Sequence, residues 1–162
     1  MIKTINFLNV KAHVYDDATI NGKPMEKQMP FINISVSGVA LSATQKQQLF
    51  DETTHLMSEV MKKNPDLTSV RIDELPADNW ATGRKSMVVR GKAGVHMDIK
   101  FTGGTNTDEE KSQMIKQAIA MLKNVVGSTP EASYIIIHDL DACAWGYDGQ
   151  TQSARAKQKN TA

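Results

Sequence analysis

Two stretches of alternating apolar and polar positions dominate the middle of the chain. Ile32, Ile34 and Val36 alternate with Asn33, Ser35 and Ser37 before Gly38, and Met97, Ile99 and Phe101 alternate with Asp98, Lys100 and Thr102 before Gly103. A period of two predicts a strand with one buried face. The stretches lie 65 positions apart, and the same offset relates the segments on their C-terminal sides. Ser42-x-x-Gln45 falls on Thr107-x-x-Glu110, two capping boxes that each start a helix. Leu49, Phe50, Thr53, Leu56, Met57, Val60 and Met61 recur at three and four, as do Met114, Ile115, Ala118, Met121, Leu122 and Val125. Each set is the stripe of a helix with one buried side. Pro65 and Pro130 mark the helix exits. Val70-Arg71-Ile72 then falls on Ile135-Ile136-Ile137 as a second strand, and Trp80 on Trp145.

This repeat predicts an α+β fold, a tandem β-α-β duplication. Parallel strands joined by a helix cross over right-handed. Two units related by a pseudo-dyad make one four-stranded sheet with two helices on one face, leaving the other face open to assembly. The repeats span 30–84 and 95–149 within a domain of 30–151. Residues 85–94, with Met87-Val88-Val89 inside them, are the linker and read as a short extra strand. Residues 1–29 form an N-terminal extension, with a strand in its broken alternation and a turn at Asn21-Gly22. Residues 152–162 read as a polar C-terminal tail, either disordered or laid on a neighbour.

Composition narrows the function classes. A chain of 162 residues with 40% hydrophobic and 23% charged positions fits one globular domain. No apolar run reaches the length of a membrane span, and the first residues lack the apolar region of a signal peptide. The expectation is a soluble, cytoplasmic protein with no membrane partner. A net charge of +1 gives no support for nucleic-acid binding. The single Cys143 excludes an intramolecular disulfide framework and a cysteine-rich zinc site, and it reads as a small buried residue. No pair of histidines has metal-ligand spacing, so no metal site is expected. His138-Asp139 reads as part of a turn or cap.

The order of motifs carries a family resemblance. Met29-Pro30-Phe31-Ile32-Asn33-Ile34, Ser42-x-x-Gln45-Lys46, Leu67-Thr68-Ser69-Val70-Arg71-Ile72 and Asn79-Trp80-Ala81-Thr82-Gly83, closed by Ala144-Trp145-Gly146-Tyr147-Asp148-Gly149, resemble the tautomerase superfamily typified by 4-oxalocrotonate tautomerase. The resemblance spans about residues 30–150. It implies the fold reached above, and a homotrimer for a fused pair of units. It also implies proton transfer by an N-terminal proline amine whose pKa burial lowers. Arginines would bind the substrate carboxylate, an aromatic residue would close the pocket, and no metal or organic cofactor is required.

Residue by residue, Pro30 takes the proline position, Arg71 the strand arginine and Trp80 the pocket aromatic. The early arginine of short members falls on Leu41, with Arg84 or Arg90 as replacements; Arg84 joins Arg71 and Trp80 as a substrate-binding candidate. The second repeat has Val95 and Ile136 at the proline and arginine positions. With residues ahead of it, the Pro30 nitrogen is a tertiary amide without a proton. Two readings are open. One is a tautomerase-like isomerase acting on a small carboxylate or carbonyl compound, active only if Pro30 becomes N-terminal. The other is a non-catalytic trimeric binding or scaffold protein whose site is covered by residues 1–29.

Overall fold

The two alternating stretches become the central pair of a sheet. A computed structural model of the chain describes residues 29–159 together with Thr19–Ile20 (β1) and Lys23–Pro24 (β2). The first repeat contributes β3 (Phe31–Ser37), α1 (Ala43–Glu59), β4 (Ser69–Leu75), β5 (Ala81–Thr82), β6 (Lys85–Ser86) and α2 (Met87–Arg90). The second contributes β7 (Gly94–Thr102), α3 (Asp108–Val126), β8 (Tyr134–Leu140), β9 (Gly146–Tyr147), β10 (Gln150–Thr151) and α4 (Gln152–Lys159). The sheet order is β4-β3-β7-β8. β3 and β4 are parallel, as are β7 and β8, whereas β3 and β7 meet antiparallel with Phe31 opposite Lys100 and Ser37 opposite Gly94. This antiparallel centre is the pseudo-dyad of the repeat. It sets the start of β3 beside the end of β7.

The core lies between the sheet and the two long helices. Ile32, Ile34, Val36, Met97, Ile99 and Phe101 are fully buried against Leu49, Met57, Met61, Met114, Ala118 and Leu122. Burying such side chains stabilises the fold by about 1.5–3 kcal/mol each. Both capping boxes form: Ser42 accepts from the Gln45 N–H and Thr107 from the Glu110 N–H, with each N3 side chain returning to its cap. Ile115, expected in the buried stripe, is 42% exposed. It sits beside Met114 at the margin of the stripe.

Further expectations are corrected. The linker's strand is confined to β6, Lys85–Ser86, and Met87-Val88-Val89 is helix because Ser86 caps the Val89 N–H and Gly91 closes the turn in the left-handed region at φ +57. The tail is not disordered through Lys159: it forms α4, which lies 65 positions after α2. His138 and Asp139 belong to β8, and Cys143 is exposed. The strand expected early in the extension lies outside the described residues. β1 and β2 pair antiparallel, Ile20 opposite Lys23. No described helix is long and apolar enough to cross a membrane.

Candidate active site

The antiparallel centre decides which candidates share an end of the sheet. Pro30 is buried just ahead of β3, and its carbonyl accepts the Ser69 N–H at 3.1 Å. Continuing the register past Phe31 and Lys100 sets Pro30 beside Phe101, at the closing end of β7. Trp80 lies at the other end. Its indole rests on Gly94, where a Cβ would come within 2.9 Å of the ring, and Gly94 pairs with Ser37. Seven strand positions separate that pair from Pro30, about 23 Å at ~3.3 Å per residue. Arg84, in the hairpin between β5 and β6 with φ +65, belongs to the Trp80 end. One protomer therefore does not bring Pro30 together with Trp80 and Arg84.

Arg71 stands apart in a different direction. It pairs with Asn33 in the parallel register, three positions beyond Pro30, about 10 Å along the strand. It occupies the sheet face away from the helices, where its Nε donates to Asn33 Oδ1 at 2.9 Å and Nη2 to Asp73 Oδ2 at 2.8 Å. Leu41, at the expected early arginine, is 7% exposed and donates its N–H to Glu74. Arg90 is spent on its own hairpin, donating Nε and Nη2 to the Thr82 carbonyl.

Residues of the second repeat furnish the Pro30 end instead. Trp145 packs against the core and donates Nε1 to Thr102 Oγ1 at 3.2 Å. Asn106, the repeat mate of Leu41, donates to the Met61 carbonyl and to Glu110. Lys63 is 1% exposed; its Nζ donates to Thr105 Oγ1 at 2.7 Å and lies 4.6 Å from the centroid of the Phe101 ring. A cation over an aromatic face in a desolvated setting is held by the ring quadrupole as well as by its hydrogen bond. Glu110 faces the same region. Burial pushes its carboxyl up, but hydrogen bonds from Thr107 and Asn106 and the Lys63 charge outweigh that and hold it below the usual value of 4.5. The end of the sheet thus combines a buried proline, two aromatic rings and a fixed positive charge.

Trp145 and Lys63 were not among the sequence candidates. The pseudo-dyad was the available signal for Trp145, because an inverted second unit must deliver its closing motif to the first unit's start. Lys63 carries no such signal: Lys62-Lys63 reads as a solvated pair. Elsewhere, a groove of about 450 Å³ between α1 and α3, lined by His55, Leu56 and Met121, includes none of the candidates. Among the described residues no group of three or more His, Cys, Asp or Glu side chains is placed to hold a metal ion.

Comparison with known proteins identifies the family to which this fold belongs. The tautomerase enzyme family matches residues 30–90 and 96–155, one unit in each repeat. A segment of 62 residues, 38% of this chain, is 42% identical to 92% of the probable tautomerase K2 of Dickeya dadantii (strain 3937). Among solved structures, Pt0534 inactivated by 2-oxo-3-pentynoate superposes with a TM-score of 0.68 at 18% identity, over 77% of this chain and 98% of that one. An asymmetric trimer of the F6 fused 4-OT gives 0.65 at 19% identity, over 76% and 98%. At such identity these structures speak for the fold, whereas the family match covers both repeats in sequence. The chain belongs to the tautomerase enzyme family.

Proposed function

We propose that this chain, with Pro30 as its N-terminal residue, is a tautomerase-like isomerase that interconverts the enol and keto forms of a small carboxylated carbonyl compound. The observation that carries the reading is the buried Pro30 at the sheet end shared with Phe101, Trp145 and Lys63. As a free secondary amine, Pro30 would take the enol hydroxyl proton and return a proton to the α-carbon, leaving the amine as it began. Burial disfavours its protonated form, and a nearby ammonium at Lys63 does the same by repulsion, so the amine is basic yet unprotonated near neutral pH. Lys63 also offers positive charge to the oxygen on which negative charge grows. Trp145 limits water from within the chain. Trp80 and Arg84 would serve such a site only across a subunit contact, and so would Arg71, which lies on the open face. A homotrimer, the assembly of the F6 fused 4-OT structure, is therefore part of the proposal. The 2-oxo acid character of the compound that inactivates Pt0534 supports a carboxylated substrate.

Initiation at Met29 followed by methionine removal, or cleavage after Met29, would expose the amine. Among the described residues the buried core lies between Ile32 and Val125, so a chain beginning at Pro30 keeps that core. While Pro30 follows Met29, its nitrogen is a tertiary amide with no proton to exchange, and the second reading applies to that longer chain: a non-catalytic trimeric binding or scaffold protein. Ketonisation of phenylenolpyruvate by chains beginning at Met1 and at Pro30 separates the two. The Pro30 chain should be active, its Pro30→Ala form slower by about 100-fold or more, and the Met1 chain inert. If the Pro30 chain is as inert as the Met1 chain, the isomerase reading fails.

A further inference from the structure

We propose that Gln152 and Arg155, on α4, are the carboxylate-recognising donors of the Pro30 site, a step that rests on the reading above. Three bonds fix where α4 stands. Its first residue donates its N–H to the Trp145 carbonyl at 3.1 Å, Ser153 N–H donates to the Ala142 carbonyl at 2.9 Å, and Trp145 is tied to Thr102 at the closing end of β7. Through Trp145, α4 is tied to the closing end of β7, the end of the sheet where β3 begins.

The repeat supplies its own control. Position 65 before Gln152 is Met87, an ordinary core residue at 1% exposure, and position 65 before Arg155 is Arg90. Arg90 directs both Nε and Nη2 at the Thr82 carbonyl. In the second repeat the same two positions are left with donors to spare. Gln152 is 9% exposed, and its Nε2 has no hydrogen-bond partner. Arg155 gives Nη2 to the Tyr147 carbonyl at 3.0 Å and stacks its guanidinium 3.8 Å from the Tyr147 ring centroid, but its buried Nε has none. The nearest carboxylate, Asp148, is 3.9 Å away and 92% exposed.

A buried donor without an acceptor is costly, and native proteins leave few of them. Replacing the Met of the first repeat by Gln adds such a cost, which an acceptor from outside the chain would remove. Both vacancies are donors and one carries charge, so the ligand that fits presents paired acceptor oxygens and a negative charge. A carboxylate does so. This also supplies the cation missing at Leu41, from the repeat that reaches the Pro30 end.

The test uses chains beginning at Pro30, with Gln152→Met, which copies the first repeat, Arg155→Met, Arg155→Lys and the control Arg90→Met. On phenylenolpyruvate, the first two should raise KM by about tenfold or more, the loss expected for a charge-assisted hydrogen bond, with kcat changed little. Arg155→Lys should recover part of the loss. With the methyl ester as substrate the difference should vanish. Arg90→Met should lower the melting temperature as Arg155→Met does, and leave KM alone. Equal KM values across the set overturn the proposal. Calorimetric titration with 2-oxobutanoate gives a readout independent of turnover. Binding by the parent and loss in the two variants support the donors even if the parent isomerises nothing, in which case only the isomerase reading falls. Absent binding, or equal binding by all variants, overturns them.

Discussion

Asp98 holds the middle of the open face between two histidines. His138 Nε2 approaches its Oδ1 at 2.7 Å and His96 Nε2 the same oxygen at 3.5 Å. Desolvation pushes the Asp98 carboxyl up, but the hydrogen bond from His138 and the charges of His96 and Lys100 outweigh it, leaving it below the ordinary 3.8. A carboxyl depressed on folding stabilises the folded chain above its unfolded value, and that stability is lost as pH falls through the folded one. Urea unfolding should therefore show a decline below about pH 4 that is shallower in Asp98→Asn than in the parent; matching declines would exclude this role. The histidines illustrate what a single residue's neighbours conceal. His138 beside Asp139 and Asp141 looks like turn chemistry in sequence. Its partner Asp98 lies 40 positions away, and only the sheet register brings them together.

The elements themselves were largely written in local patterns, because caps and periodicity act within a turn or two. Both capping boxes form, and both amphipathic stripes make helices with one buried side, Ile115 excepted. Thr107→Ala and Ser42→Ala should each destabilise the chain by about 1 kcal/mol in urea unfolding. Thr107 also leads a first turn carrying Asp108, Glu109 and Glu110, favourably placed at a helix start, so its loss should be the larger of the two. Negligible losses in both would mean that packing alone sets these helix starts. Where local signals competed, the cap prevailed. Val88 and Val89 have strand propensity, yet Ser86 and Gly91 fix a four-residue helix on which both valines are exposed. The polar tail is the inverse case: α4 lacks an apolar stripe, and the sequence around Gln152 gains meaning only when laid over Met87.

At the scale of the molecule, the sheet has one face buried by helices and one that no described element covers. The open face carries Phe31 and Arg71 with Tyr134 at 61% and Ile136 at 42% exposure, a mixture of apolar and charged groups suited to burial between copies of the chain. Duplication made the internal pairing legible, since one offset relates the units. It does not reveal which end of the sheet each candidate takes: Trp80 and Arg84 stand at the end opposite Pro30. The proposed trimer ties the two matters together, because Arg71 lies on the open face and a Pro30 site reaches it only through a neighbour. Ile136→Glu puts a carboxylate where that neighbour would pack, opposite Asp98 in the register, and burying two like charges is costly. A chain beginning at Pro30 should sediment as a trimer and its Ile136→Glu form as a monomer of unchanged circular dichroism. The monomer should retain the Pro30 amine but lose isomerase activity, as Arg71→Ala does within the trimer. A variant that still sediments with its parent would place the interface elsewhere on the molecule, and a monomer with full activity would show that Arg71 takes no part in the site.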